Sequence, residues 1–504
     1  DCLLSRGLGD VYKRQDLLIS AFEQSEIKNT LDHTRLTSTQ LTHIPNLEKI
    51  PASTKRIKPL NNFLGQDRAR ASVEAGIALP YSGYNIFAVG TAGLGKRTMV
   101  KRLLQQHAKT METPNDWVYV NNFQNQRQPI ALELPSGQGP KFQAMLNQSW
   151  QTILKQLERR FTAETYHNRI EMIRQETGDE QQQALIELTK EGAELDLKLI
   201  SRHDEHCFVP VHLIDDKLQE MSQEDLNVLS NKDRAELASN MRYMDKKLER
   251  LGLHLGDLED DARDRVQILN RDIAKQVVLP RVEQILAKFK HVEGLEHYLK
   301  YYAEDIINNV EIVLEQEEDD FTPALFSRVP ARYQANVIIT HKPNSGAPVI
   351  FEDFPTHYNL LGHVEQLTQN GTITTDFTLI RPGTLHKANG GFLMLEAEQL
   401  LEQPYAWQGL KRALKSGHLK LSSLEHMITL TGSISIEPAS IPLNIKVILL
   451  AEPEIYYEIL ELEPELGSIF KIRADFTDTL QRNDNNEQAY ICLLYTSDAA
   501  DDMQ

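Results

Sequence analysis

The sequence predicts an α/β fold with a parallel sheet, interrupted by a long α-helical segment. Two short apolar stretches, residues 85–90 and 116–120, are typical of buried strands, and a glycine-rich loop with a helical pattern lies between them. From residue 141 to about 320 the chain is poor in glycine, and its apolar residues recur three and four positions apart. Strand, glycine loop, helix and strand begin a parallel α/β domain, so we expect helices inserted into such a domain.

The composition is that of an acidic protein with more than one buried core. The chain has 504 residues, of which 41% are hydrophobic, and its 54 Lys and Arg against 72 Asp and Glu give a net charge of −18. This charge disfavours non-specific binding to nucleic acid. No apolar run approaches the roughly 20 residues of a membrane-spanning helix, no signal-peptide pattern is present, and three scattered cysteines fit neither a disulfide framework nor a zinc site. We therefore expect a cytoplasmic protein without a membrane or nucleic acid partner.

The remaining elements follow in order along the chain. Residues 16–58 are polar with weak periodicity, which predicts a linker or a small N-terminal element. The glycine-poor segment predicts amphipathic helices, partly coiled coil, although an independent helical bundle would give the same pattern. Gly417 fits the C-cap position of the helix before it. Four later stretches have strand signals, namely residues 333–340, 348–353, 390–397 and 445–453.

A glycine-rich motif after the first strand points to nucleotide binding. Gly90, Gly95 and Lys96 have the spacing of the GxxxxGK core of a P-loop, and the motif lies between a strand and a helix. Glycines let backbone N–H groups surround phosphate oxygens at the positive end of the helix, and the lysine reaches the β- and γ-phosphates. The alternative is a purely structural strand-to-helix turn. The candidate nucleotide-binding residues of the loop are Gly90, Gly93, Leu94, Gly95, Lys96, Arg97 and Thr98.

The loop departs from the P-loop pattern at the residue after the lysine. A Ser or Thr at that position binds Mg²⁺ through its hydroxyl, whereas this chain has Arg97. Thr98 follows one position later, about 100° further around the helix, and is the candidate metal ligand in its place. Metal binding is therefore a weaker expectation than phosphate binding.

A second nucleotide element is expected to be an apolar strand that ends in an acidic residue. Residues 390–398 supply it, with Glu396 where an aspartate usually holds the water shell of Mg²⁺. The next position usually carries a glutamate that activates the attacking water, but here it is Ala397, followed by Glu398. Glu396 and Glu398 are the candidate catalytic residues. A buried strand followed by a helix would explain the same pattern without any chemistry.

Five segments, taken together with these two motifs, resemble the AAA+ module of Lon-related proteases. They are similar to the bacterial Lon-related ATP-dependent proteases of the B and C types, which carry a helical insertion between the two nucleotide motifs. The resemblance covers nearly all of residues 58–482. The segments that carry it are residues 63–96, 352–365, 381–401, 407–417 and 442–476.

The resemblance implies a ring-forming, hexameric ATPase that binds ATP and Mg²⁺ and unfolds or threads protein substrates. Gly65 and Gln66 would lie against the adenine, and Glu452 would lie near the position that senses the γ-phosphate. Lys471 or Arg473 would stabilise charge on the nucleotide of a neighbouring subunit, unless each is simply a solvated charge on a strand edge. The rival function is a degenerate AAA+ scaffold that assembles and gates an ATP-independent protease. The two departures from the nucleotide motifs favour this rival, and the loop glycines with their lysine oppose it.

Both ends of the chain differ in character from the rest. Residues 1–15 and 491–504 resemble translated sequencing-adapter DNA, so we expect the natural chain to run from about residue 16 to about residue 490. In the family a protease domain with a Ser–Lys dyad follows the ATPase module. We therefore expect a chain truncated before that domain and unable to cleave peptides itself. The expected division is an N-terminal element at 16–58, AAA+ core halves at 59–140 and 321–482, a helical insertion at 141–320 and a truncated end at 483–504.

Overall fold

The computed structural model describes most of the chain between its two ends. The chain divides into two compact units. The smaller unit comprises residues 1–67 together with 477–504, and the larger unit comprises residues 68–476. The expected adapter-like ends lie outside the described residues, except for positions 491 and 492. The described residues are 36–41, 63–202, 205–214, 217–222, 225, 228–315, 329–369, 372–421, 436–481, 483 and 486–492.

The described residues form α-helices and β-strands that are numbered here in chain order. The helices are α1 (Ser38–Leu41), α2 (Asp67–Ala78), α3 (Lys96–Ala108), α4 (Gly139–Phe161), α5 (Glu164–Glu194), α6 (Asn231–Lys288), α7 (Leu295–Asn308), α8 (Val310–Glu315), α9 (His357–Leu361), α10 (Thr384–Lys387), α11 (Ala397–Glu402), α12 (Ala406–Ser416), α13 (Pro453–Leu462) and α14 (Leu466–Ile469). The strands are β1 (Ile86–Val89), β2 (Asp116–Val120), β3 (Ile130–Leu134), β4 (Leu197–Arg202), β5 (Glu205–Ile214), β6 (Lys217–Glu220), β7 (Ala335–Ile339), β8 (Val349–Glu352), β9 (His363–Val364), β10 (Leu367–Gln369), β11 (Thr372–Thr374), β12 (Ile380–Arg381), β13 (Phe392–Glu396), β14 (His418–Leu419), β15 (Ile441–Pro442), β16 (Lys446–Ala451) and β17 (Ile472–Asp475).

A five-stranded parallel sheet forms the centre of the larger unit. Its strand order is β17-β1-β16-β13-β8, and every neighbouring pair is parallel. β1 is buried along its whole length and β16 is buried after its first residue, as expected for strands covered on both faces. The carboxyl ends of β1, β13 and β16 therefore meet at one edge of the sheet. The predicted α/β fold with a parallel sheet is confirmed.

Two of the predicted strands do not join the parallel sheet. β2 lies between β3 and β7 in a separate antiparallel sheet, so the prediction that residues 116–120 continue the parallel domain is wrong. The two faces of β2 meet different cores. Tyr119 packs in the core of the parallel sheet, whereas Val118 and Val120 pack with the inserted helices. An apolar run shows that a strand is buried, but it leaves the pairing partner open.

The long helices lie between α3 and β8 in the chain, so the predicted helical interruption of the sheet fold is confirmed. α4, α6 and α7 enclose a core that contains Trp150, Ile285 and Tyr302. α5 and α6 are joined side by side by ion pairs, one of them between Glu176 and Arg265. A supercoiled pairing of these helices stays a prediction. None of the described helices is long and apolar enough to cross a membrane.

A three-stranded antiparallel sheet, which was not predicted from the sequence, interrupts the helical segment. The sheet has the order β4-β5-β6 and connects α5 to α6. Leu197 and Phe208 from its strands pack with Leu188 of α5 and Met244 of α6. The three strands lie between long helical patterns, so the helical period dominates the pattern of the whole segment.

Candidate nucleotide-binding site

A cavity of about 430 Å³ lies at the carboxyl edge of the parallel sheet. It brings together the loop after β1, the end of β13 and the end of β16. Parallel α/β folds bind ligands at this edge, because loops and helix N-termini converge there. The residues that line the cavity are Ala92, Gly93, Leu94, Gly95, Lys96, Arg97, Glu396, Glu398, Leu450, Ala451, Glu452 and Ile455.

The loop between β1 and α3 needs glycine at particular positions. Gly93 and Gly95 have φ angles of 84° and 74°, in the left-handed region that residues with a Cβ rarely adopt. A Cβ at either residue would meet no atom within 4 Å, so the backbone conformation and not crowding requires glycine. Gly90 differs, because a Cβ there would lie 2.7 Å from the Cβ of Phe476. Gly95 caps α3 without a side-chain hydrogen bond, which leaves the first N–H groups of α3 available to an anion.

Lys96 extends from the start of α3 towards two strand ends. Its ammonium group donates to the main-chain oxygens of Gly90 and Ala451, the latter at 3.0 Å. Burial lowers the pKa of Lys96, and the charges of Glu396 and Glu452 oppose that change. A half-buried ammonium group held by neutral carbonyls gains from an anionic partner. The structure thus places the predicted phosphate-binding lysine where a phosphate could replace those carbonyls.

Three carboxylates line the same cavity. Glu396 ends β13 and directly precedes α11, Glu398 lies in the first turn of α11, and Glu452 directly precedes α13. Burial raises the pKa of Glu396, while the charges of Lys96 and Arg97 oppose the rise and that of Glu398 adds to it. The structure therefore brings the two predicted catalytic carboxylates and the predicted γ-phosphate sensor together around Lys96.

The residues present fit a magnesium ion through a carboxylate and not through a hydroxyl. Thr98 is exposed and does not line the cavity, although it is the hydroxyl nearest in sequence to the expected position. Glu396 is half-buried in the cavity, and among the described residues no donor hydrogen-bonds to its carboxylate. Magnesium is commonly bound by one or two carboxylates together with water and substrate phosphates. Glu396, with Glu398 nearby, is thus the side chain that could hold the ion.

Arg97 lines the cavity at the position where a P-loop has its hydroxyl. Its guanidinium carbon lies 3.6 Å from the ring centroid of Phe351, which belongs to the edge strand β8. A guanidinium this close to an aromatic face is held by a cation–π contact. Sequence reasoning missed Phe351, because an apolar strand signal does not show that β8 pairs with the predicted acidic strand β13.

The structure also adds residues at the end of β16. Leu450 and Ala451 end this strand and Ile455 lies in α13, and all three line the cavity. Sequence reasoning missed them because only the charged residue of this turn, Glu452, stands out in the pattern. The carbonyl of Ala451 acts through the main chain, which carries no sequence signal.

The two predicted adenine-contacting residues belong to the smaller compact unit. Gln66 donates from its side-chain amide to the main-chain oxygen of Thr477 at 2.7 Å and accepts from the N–H of the same residue at 3.0 Å. Gly65 precedes it with a φ of 68°. Both residues are thus fixed within their own unit, and their contact with adenine stays a prediction.

The two predicted trans-acting cations do not line the cavity. Lys471 precedes β17 and lies at the amino edge of the sheet, with its Nζ 4.7 Å from the ring centroid of Tyr84. Arg473 lies within β17 and donates to the hydroxyl of Tyr457 at 3.2 Å and to the carboxylate of Asp475. A role for either residue at a neighbouring subunit's nucleotide stays a prediction.

Comparisons with known proteins find related sequences in two parts of the chain. Residues 345–477 match the family model of the LonB-like AAA domain, and residues 116–149 match that of the Lon-like LonC helical domain. The Lon protease homolog of Escherichia coli (strain K12) is 34% identical over 148 residues, which are 29% of this chain and 23% of that relative. The matched part of the chain thus spans about a quarter of the relative's length. The first match contains the three cavity carboxylates, whereas the glycine loop lies outside both family matches.

Proposed function

We propose that this Lon-related AAA+ chain binds ATP in the cavity at the carboxyl edge of its parallel sheet. We further propose that hydrolysis of this ATP drives the unfolding and threading of protein substrates by a hexameric ring in the cytoplasm. The observation that supports the proposal is that one cavity is lined by a loop with two glycines in the left-handed conformation, by Lys96 and by three carboxylates. These are the parts that phosphoryl transfer requires for positioning and electrostatic stabilisation.

Each cavity residue has a role that follows from its chemistry and its place. The first N–H groups of α3 and the ammonium of Lys96 would bind the phosphates, since both are donors on the cavity wall. Magnesium, when bound, would neutralise charge on the β- and γ-phosphates, with Glu396 on its water shell. Glu398 would orient the attacking water, because it is the next carboxylate on the cavity wall. Glu452 occupies the N-cap position of α13, so a change of charge at the γ-phosphate would act close to the positive end of that helix.

A scaffold without hydrolysis is the rival function, and one observation favours it. Ala397 occupies the place of the usual water-activating glutamate, and it is buried in the core of the parallel sheet. Glu398 must then act from one residue further along. The scaffold and the ATP-driven motor proposed above would bind nucleotide through the same residues, but only the motor would hydrolyse it.

The test is nucleotide binding by the full chain, compared with its Lys96→Ala variant by titration calorimetry with ATP. Loss of a charge-assisted hydrogen bond to phosphate should weaken binding by roughly 10- to 100-fold. Lys101→Ala is the matched control, because Lys101 lies exposed on the same helix outside the cavity. Equal affinity of the folded wild type and Lys96→Ala, or no binding by either, would refute the proposed site.

Turnover separates the motor from the scaffold. Phosphate release by the wild type should fall in Glu398→Gln while ATP affinity changes little, because that side chain would orient water and not the nucleotide. Tight binding without any phosphate release in the wild type would favour the scaffold.

A further inference from the structure

We propose that the guanidinium of Arg97 binds the nucleotide phosphates directly, so that nucleotide affinity at this site depends little on magnesium. The inference rests on the proposed ATP-binding function of the cavity and concerns the residue that departs from the P-loop pattern. Arg97 is the second residue of α3, at the place where a hydroxyl normally joins magnesium to the phosphates. A chain with arginine at this place has lost that link and gained a permanent positive charge.

The guanidinium of Arg97 is oriented by an aromatic ring, and none of the described residues accepts a hydrogen bond from it. Its carbon lies 3.6 Å from the ring centroid of Phe351, so one face of the guanidinium is covered by the ring. A stacked guanidinium keeps its N–H groups at its edges, where they remain able to donate. Within the part of the chain that the structure describes, no carboxylate or carbonyl accepts from Arg97. The cation–π contact thus holds the group in place without using its donors.

An arginine held in this way suits a phosphate better than it suits the carboxylates nearby. Arg97 lines the same cavity as Lys96, and Lys96 already begins the helix whose N–H groups face the phosphate position. Guanidinium and phosphate pair through two parallel hydrogen bonds, which an ammonium cannot offer. Thr98, which follows Arg97 in the sequence, is exposed and does not line the cavity. Magnesium then serves turnover through Glu396 and adds little to affinity.

The experiment measures binding of the β,γ-imido analogue of ATP to the full chain, in excess magnesium and in excess EDTA. We expect the wild-type dissociation constant to differ by less than about threefold between the two conditions, since the arginine supplies the charge. In Arg97→Ser, which restores the usual hydroxyl, removal of magnesium should weaken binding by about tenfold or more. Phe351→Leu should give an intermediate loss in EDTA, because the guanidinium is released and its charge is kept. Lys101→Ser is the control and should match the wild type.

The possible results distinguish this inference from the function on which it rests. Wild-type binding that collapses in EDTA as it does in Arg97→Ser overturns the role of Arg97 and leaves the ATP site in place. An Arg97→Ser variant that binds equally well in both conditions also overturns it. Absence of binding by the folded wild type in both conditions overturns the ATP site and, with it, the role of Arg97.

Discussion

His386 should make the stability of the parallel-sheet core depend on pH. It lies in α10, directly before β13, and is fully buried. Its Nδ1 accepts from the N–H of Gly383 at 3.3 Å, so the ring proton is on Nε2, which has no partner among the described residues. Burial lowers the pKa of His386 from 6.5 to about 4. A charge on this ring would break the hydrogen bond, and among the described residues no carboxylate pairs with the ring.

The sign of the effect follows from the two states of the ring. In the unfolded chain the histidine binds a proton below about pH 6.5, whereas in the folded chain it stays neutral until about pH 4. The stabilisation that the neutral ring gives the folded chain is therefore complete above pH 6.5, and it is lost as the pH falls from 6.5 towards 4. This difference in proton binding lowers the free energy of unfolding by about 2 kcal/mol at pH 5. The loss reaches about 3 kcal/mol at a pH low enough to protonate the ring in both states.

The assay is urea unfolding of the wild type, His386→Gln and His254→Gln at pH 7.5 and pH 5.0. Tryptophan fluorescence reports the transition, since Trp407 packs in the same core as the neighbours of His386. From pH 7.5 to pH 5.0, the free energy of unfolding of the wild type should fall by about 2 kcal/mol more than that of His386→Gln, whose side chain cannot titrate. His254 is exposed on α6 and its variant should behave as the wild type. A loss in His386→Gln equal to that of the wild type would refute the assignment of this pH dependence to His386.

Two further predictions concern buried residues that stabilise the fold away from the cavity. Asp116 is fully buried and accepts hydrogen bonds from the N–H of Gly139, the hydroxyl of Thr340 and the N–H of His341. Asp116→Ala should therefore lower the free energy of unfolding by roughly 3 to 5 kcal/mol in urea titrations, and Asp116→Asn by less; a cost below 1 kcal/mol for the alanine variant would contradict this account. A Cβ at Gly391, directly before β13, would collide with the main-chain oxygen of Pro348, directly before β8. Gly391→Ala should therefore lower the free energy of unfolding by roughly 2 to 3 kcal/mol by the same measurement, and an unchanged midpoint would show that the backbone yields easily.

The fold class could be predicted from the sequence because buried parallel strands leave a strong local signal. Residues 85–90, 390–397 and 445–453 are apolar runs, and all three became neighbours in the parallel sheet. Pairing could not be predicted in the same way. The run at 116–120 is equally apolar, yet it is buried between two cores and joins another sheet. Hydrophobicity reports burial, while the choice of partner depends on contacts far away in the chain.

The candidate site shows the same division between local and distant information. The glycine loop with Lys96 and the acidic strand end at Glu396 are local patterns, and the structure brings both to one cavity. Lys471 also lies in a motif that resembles the family, but it precedes its strand instead of following it. In a parallel sheet that difference places a side chain at the opposite edge. Strand boundaries therefore decide which charged residues can reach the nucleotide, and boundaries are the least certain part of a sequence-based prediction.

The helical insertion leaves the parallel sheet intact because the strands that precede and follow the inserted helices are neighbours. β2 and β7 are neighbouring strands, and Val120 at the end of β2 is paired with Ala335 at the start of β7. Outside these strands, the N–H of Ala347 donates to the main-chain oxygen of Ala108 at 2.9 Å, so the returning chain is bonded to the end of α3. The end of α3 is thus bonded directly to the chain that leads into β8. Because loop closure costs little more for a long insertion than for a short one, the fold can carry a large insertion while the loop of Lys96 and the strand of Glu396 keep their places.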